Sequence, residues 1–275
     1  LTEPSNDIVK EKGVPELQNL FIPEIVLFWK QWIIIICILT VNICIQFLVK
    51  PIIYGIECPT GYLGPGGIGD KGKYFQCTGG IHRDIDIDIF GDQHIYPYPT
   101  AQDYYGTGYY DPEGTLGLLN AISLTFFGLL IGRVLHVYSD HKQRLIRWLT
   151  ISIFFCLIAG ILCKFNQNNG WIPINKNLWS TSFILVQAGT GTFVLLIMYI
   201  LIDVLKFWDG TPFHWLGSNS IFIYVGSELL DGYFPFGWEY GDQNHYKLLL
   251  SNVIGVGIWI YTSYYLYKHK IFYKL

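Results

Sequence analysis

Six stretches of this chain are long and apolar enough to cross a bilayer, and no other feature limits its fold so strongly. The hydrocarbon core takes about 20 mostly apolar residues per helical crossing. Irregular backbone cannot face lipid there, because its N–H and C=O groups would have no partners. The stretches are 25–49 (with QWIIIICILTVNICIQFLV inside it), 115–138, 146–163, 178–205, 213–230 and 248–267. The fifth is the least apolar, carrying Asn219, Ser220 and Glu228. Composition agrees: 51% hydrophobic, 17% aromatic and only 14% charged residues, with mean hydropathy +0.34, lie outside the range of water-soluble domains. The expectation is an all-α multi-pass membrane protein of about six transmembrane helices. Residues 1–24 would be a cytosolic connector, 25–49 a first transmembrane helix, 50–114 an external cap, and 115–275 five further transmembrane helices with short loops.

Six crossings put both ends of the chain on one side, and the basic residues say which. One side collects eleven Lys and Arg (Lys10, Lys12, Lys30, Arg133, Lys142, Arg144, Arg147, Lys206, Lys268, Lys270, Lys274) against seven on the other. Basic loops stay in the cytosol, and long loops weigh little in that rule. Four of the seven lie in the long 50–114 segment, so the termini are expected in the cytosol and the cap in a lumen or outside the cell.

Within the cap, CPTGYLGPGGIGDKGKYFQCTGG (58–80) holds eight glycines and two prolines in a chain that is otherwise greasy. Cys58 and Cys77, in an oxidising compartment, read as a disulfide closing this turn-rich loop. Cys37, Cys44, Cys156 and Cys163 fall inside apolar helices and read as unpaired thiols. The cap carries four basic and nine acidic residues, a net of −5. Such a surface attracts cations and resists polyanions, although a plain solvated acidic face reads equally well except at Asp111 and Glu113, directly above the second span. RDIDIDIF (83–90) alternates charge and isoleucine, as a short half-buried strand does. Its carboxylates lack the glycine and distal glutamate of a calcium loop, so no metal site is expected.

The motifs of soluble enzymes are missing from the sequence: no phosphate-binding glycine loop, no H-E-x-x-H, no G-x-S-x-G, and no basic stripe for nucleic acid. Chemistry must then reside where polar side chains enter the bilayer, since each is costly there. Lys176, Asn177, Ser180, Ser182 and Gln187 open the fourth span, Asn219 and Ser220 the fifth, and the second holds Asn120 near the outside and Arg133 near the cytosol. Together they can line a polar path, or singly they can serve as interhelical hydrogen bonds. His82 and His245 read as solvated loop residues and His94 as a structural hydrogen-bonding one; His136, His141, His214 and His269 fall on the cytosolic side.

CPTGYLGPGGIGD (58–70), CTGG (77–80), YDPEG (110–114), IPINKNLWS (172–180), GTPF (210–213), NSI (219–221), YVGSE (224–228), YFPF (233–236) and KIFYKL at the end resemble the C-terminal half of the heparan-alpha-glucosaminide N-acetyltransferase family. The resemblance implies part of a larger transmembrane acyltransferase bundle in the lysosomal membrane, working as a homodimer among membrane lipids. Its activity would move acetyl from cytosolic acetyl-CoA to the terminal glucosamine amine of a heparan sulfate oligosaccharide in the lumen. On that reading Asp111, Glu113 and Asn120 are acceptor-side candidates. Asn177, Ser180, Ser182, Asn219, Ser220 and Arg133 are acetyl-CoA candidates. The family's catalytic histidine lies upstream of the matched region, so the base is expected outside this chain, in the N-terminal half of the same enzyme. The chain is accordingly expected to be incomplete by itself. The alternative is a noncatalytic accessory subunit derived from the same family.

Overall fold

The computed structural model describes residues 28–100, 102–166, 170–237 and 245–273. The expected connector at 1–24 lies outside the described residues. Among the described residues the chain is mostly helical, with one disulfide and five helices long and apolar enough to cross a membrane. It divides into two units, Leu1–Ile197 and Met198–Leu275.

In the first unit α1 (Trp29–Leu48) runs until the chain turns extended at Val49, two residues before Pro51. A two-residue hairpin follows, β1 (Ile52–Ile53) with β2 (Ile56–Glu57), antiparallel. The cap then forms α2 (Gly80–Phe90) and a single turn, α3 (Gln102–Tyr105). Next come the long helices α4 (Thr115–Val137), α5 (His141–Leu162) and α6 (Thr181–Tyr199). Asp140 caps α5 by accepting Gln143 N–H at 3.3 Å, and Ser180 Oγ accepts Phe183 N–H at 3.3 Å at the start of α6.

Ile35 of α1, Phe127 of α4, Phe155 and Ala159 of α5, and Ile184, Leu185 and Ala188 of α6 form one buried apolar cluster. Polar atoms sew the same helices together. Trp148 Nε1 donates to Ile131 O at 3.0 Å, and Ser152 Oγ to Gly189 O at 2.8 Å. Small residues permit that approach: a Cβ on Gly189 would stand 2.5 Å from Cys156 Sγ. The outward faces stay apolar and exposed, as at Ile33, Ile34, Leu129, Phe154 and Val194, which suits lipid contact and would be unfavourable in water.

In the second unit the sixth apolar stretch is α9 (His245–Lys268). The fifth is a correction to the expected single crossing helix. It is two short helices, α7 (Phe213–Ser218) and α8 (Ser220–Leu229), six and ten residues long, broken at Asn219. The cause is long-range: Asn219 Nδ2 donates to Ile271 O at 3.0 Å and Asn219 Oδ1 accepts Tyr273 N–H at 2.9 Å, an arrangement made with Asn219 at φ −133, ψ 38. Aromatic contacts hold the unit, Trp215 on Tyr264 and Phe236 on Trp259.

Candidate functional site

The glycine-rich loop folds as the disulfide promised. Cys58 and Cys77 are bonded and buried, while Cys37, Cys44, Cys156 and Cys163 are free thiols. Two glycines show why no side chain would do. A Cβ on Gly67 (φ +53) would lie 1.9 Å from Tyr105 O, and one on Gly80 (φ +50) 2.1 Å from Tyr62 O. The loop is thus wedged against α3 on one side and launches α2 on the other.

Residues 83–90, expected as a strand, belong to α2. The alternation of isoleucine and aspartate is a false period. The buried side chains of α2 are Ile81, His82, Arg83 and Asp86, with Asp86 three and four residues from Arg83 and His82 on one helix face, while Ile89 and Phe90 point outward. Polar partners meet part of that face. Asp86 Oδ1 accepts Thr115 N–H at 2.8 Å and so caps the first turn of α4. Asp84 Oδ2 accepts Ile52 N–H at 3.1 Å. Arg83 Nη2 donates to the Tyr54 hydroxyl at 3.0 Å, and that hydroxyl donates to Asp92 Oδ1 at 2.5 Å. His82 is a second correction: it is 3% exposed, not a solvated loop residue. Burial alone pushes its imidazole down to about 4, so it stays neutral in mild acid. Burial pushes the Asp86 carboxyl up, against the Thr115 N–H that pulls it down, and nearby Asp111 adds to the rise.

Helix α2 packs on α1, on β1 and on α4, and beneath it the bundle is unexpectedly polar. Asn42 of α1 donates from Nδ2 to Leu116 O at 2.9 Å. One turn along α4, Asn120 donates from Nδ2 to Trp179 O at 2.7 Å. Gln46 lies one turn beyond Asn42, where its backbone O accepts Gly61 N–H at 2.9 Å. All three amides are essentially fully buried. Asn42 Oδ1, Asn120 Oδ1 and Gln46 Nε2 have no partner among the described residues, and neither do His82 Nε2, Arg83 Nε and Thr107 Oγ1 in the cap. Orphaned buried polar atoms are rare because each costs about 1–3 kcal/mol. Their concentration where the cap meets α1 and α4 marks the candidate site, one suited to a neutral or cationic polar group.

Asn120 is therefore the acceptor-side candidate with a free oxygen. Asp111 Oδ1 accepts Glu113 N–H at 2.9 Å in a local turn, and Glu113 is exposed. Asn42 and Gln46 escaped the sequence reading. Their signal was present in the i, i+4 pair of amides inside VNICIQ, masked by the surrounding isoleucines.

The acetyl-CoA candidates divide between the two units. In the first, Ser180 Oγ and Ser182 Oγ both donate to Pro173 O at 2.9 Å and lie 3.0 Å apart, which fixes the turn entering α6. Asn177 hydrogen-bonds the Tyr110 hydroxyl. Arg133, half-buried on α4, stands 5.1 Å from the centre of the Phe28 ring. In the second unit Asn219 is spent on residues 271 and 273, and Ser220 is exposed. Among the described residues no three of His, Cys, Asp or Glu gather as metal ligands. His94 Nδ1 sits 2.7 Å from Phe90 O, in an exposed local contact.

Comparison with known proteins adds kinship to this geometry. No family model matches the chain. The heparan-alpha-glucosaminide N-acetyltransferase of Mus musculus is 43% identical over 250 residues, covering 90% of this chain and 38% of its own length. That of Homo sapiens is 41% identical over 270 residues, covering 97% of this chain and 40% of its own length. The chain thus spans about two-fifths of the length of the curated relatives it matches.

Proposed function

We propose, for a chain related along nearly its whole length to the heparan-alpha-glucosaminide N-acetyltransferases, that it forms part of a transmembrane enzyme acetylating the terminal glucosamine amine of heparan sulfate. The donor is acetyl-CoA supplied from the cytosol, and the acceptor enters from the lumen of a lysosome, with both ends of this chain on the cytosolic face. The observation that carries the reading is 41–43% identity over 90–97% of the chain.

The reaction needs from protein a base and contacts that position the two substrates. The amine nitrogen attacks the thioester carbonyl, a C–N bond forms, the C–S bond breaks, and the nitrogen's proton is taken by a base and returned to the departing thiolate. An amine in an acidic lumen is mostly protonated, so a base is essential. His82 is too weak a base at about 4 for that role. On this reading the base belongs to the N-terminal part of the longer enzyme. This chain supplies positioning instead. The free Oδ1 atoms of Asn42 and Asn120 are acceptors for amine or hydroxyl hydrogens of the sugar. On the cytosolic side Arg133 supplies a guanidinium for a phosphate of coenzyme A; Asn177, bonded to Tyr110 of the cap, is a further contact for the amide-bearing arm where it nears the lumen. Ser180, Ser182 and Asn219 serve by holding the turns around them.

The test is acetyl transfer by the complete protein in membranes, with labelled acetyl-CoA and glucosamine. Formation of N-acetylglucosamine that falls at least tenfold in Asn120→Ala, with the protein still folded, supports the reading; unchanged transfer in that variant removes Asn120 from the site.

A further inference from the structure

The acidic cap is not uniformly acidic. Beside the disulfide a cleft of about 560 Å³ is lined by Lys50, Glu57, Lys73, Tyr74, Phe75 and Gln76, among others. The turn Gly69–Gly72, whose Gly72 also lines the cleft, adds Asp70 and Lys71. Lys50, Lys73 and Glu57 line the cleft and Asp70 and Lys71 adjoin it in the chain, so three of the cap's four basic residues and two of its nine carboxylates lie in or next to it, a balance of +1. The remainder of the cap has Arg83 against seven carboxylates, a balance of −6. Both local carboxylates are already engaged: Glu57 pairs with Lys50, and Asp70 Oδ2 accepts the Tyr62 hydroxyl at 2.9 Å. Lys71 and Lys73 are exposed, and Lys73 Nζ lies 4.9 Å from the centre of the Tyr74 ring. Exposed Phe75 stands beside it.

Ammonium groups next to open aromatic faces suit an anionic sugar, whose sulfate meets the lysines while its C–H face rests on a ring. We propose that this cleft binds a sulfated sugar unit of the acceptor, behind the terminal amino sugar. The inference deepens the acetyltransferase reading and rests on it for the acceptor's chemistry. It also gives an acidic cap a way to hold a polyanion: the lysine cleft takes the sulfated end. Attraction of this kind acts over about a Debye length and is weakened by salt.

The experiment uses the complete protein in nanodiscs of zwitterionic lipid at low salt. The probes are a glucosamine-terminated heparan tetrasaccharide, the same sugar with its sulfates removed, and inorganic sulfate. Binding is read by titration calorimetry, and acetyl transfer is assayed separately. The parent is expected to prefer the sulfated sugar, and Lys71→Ala/Lys73→Ala to lose about tenfold in affinity for it, at about half of that per exposed charge contact in free-energy terms. Affinity for the desulfated sugar should not change, Lys71→Arg/Lys73→Arg should keep the preference, and inorganic sulfate should compete poorly. A parent that binds both sugars alike, a double alanine variant that keeps the preference with its disulfide intact, or full competition by inorganic sulfate overturns the proposal. If the parent prefers the sulfated sugar but transfers no acetyl group, the cleft stands and the transferase reading fails. If it acetylates both sugars with one KM, the transferase reading stands and the cleft assignment falls.

Discussion

Acidification should loosen helix α2, and His82 should be the reason. Its imidazole titrates near 6.5 in an unfolded chain and at about 4 in this structure, lowered by burial. Between those values the unfolded state binds more protons than the folded one, so stability present above about pH 6.5 is lost as pH falls toward 4. Integrating that difference from about pH 7.5 to about pH 5 gives a loss of about 2 kcal/mol for any opening that exposes the ring. Asp86, on the same face, acts in the opposite direction. Its raised pKa means that its protonated form is favoured by the fold, so acid partly restores what His82 removes. Hydrogen exchange of the 80–90 amides in nanodiscs, corrected for the intrinsic rate at each pH, measures this opening. The parent should lose protection on acidification, and His82→Gln should lose less by about 2 kcal/mol. Equal pH dependence in parent and variant would refute burial as the cause of the histidine's low basicity.

Reducing the Cys58–Cys77 link, or replacing both residues with serine, frees a loop whose ends are 19 residues apart and should cost the cap about 3 kcal/mol by the chain-entropy relation; an unchanged thermal midpoint for the cap's near-ultraviolet signal contradicts this. Asn219→Ala leaves Ile271 O and Tyr273 N–H without partners, so protection of the amides near residue 273 should fall by about 1–3 kcal/mol, and full retention would show that the clamp is redundant. Arg133→Ala should weaken coenzyme A binding about tenfold to a hundredfold, measured by calorimetry on the complete protein, and parental affinity would remove Arg133 from the cofactor path.

What was legible from residues alone follows from which signals are long-range averages. A crossing helix shows itself through some twenty apolar residues, so α1, α4, α5, α6 and α9 were plain from hydropathy. The break at Asn219 was not, because it is set by hydrogen bonds to residues 271 and 273, more than fifty positions away. The strand expected at RDIDIDIF failed for a related reason. Period-two alternation assumes that isoleucines seek the interior, but here His82, Arg83 and Asp86 take it because Tyr54 and the N–H of Thr115 offer partners. The disulfide could be foreseen because its logic is compartment and spacing. Ser180 and Ser182 were read as polar residues opening the fourth span, yet whether a hydroxyl meets a ligand or Pro173 O depends on the turn ahead of α6. Asn42 and Gln46 were hidden because four isoleucines in a row outweigh two amides in any hydropathy average.

The central claim is transfer across a membrane between two separated substrates, and sidedness tests it most directly. The complete protein in sealed vesicles of known orientation should convert glucosamine trapped on the cap side using acetyl-CoA supplied only on the opposite side. Transfer that requires both substrates on the same side, or no transfer in either arrangement from folded protein, would contradict the account.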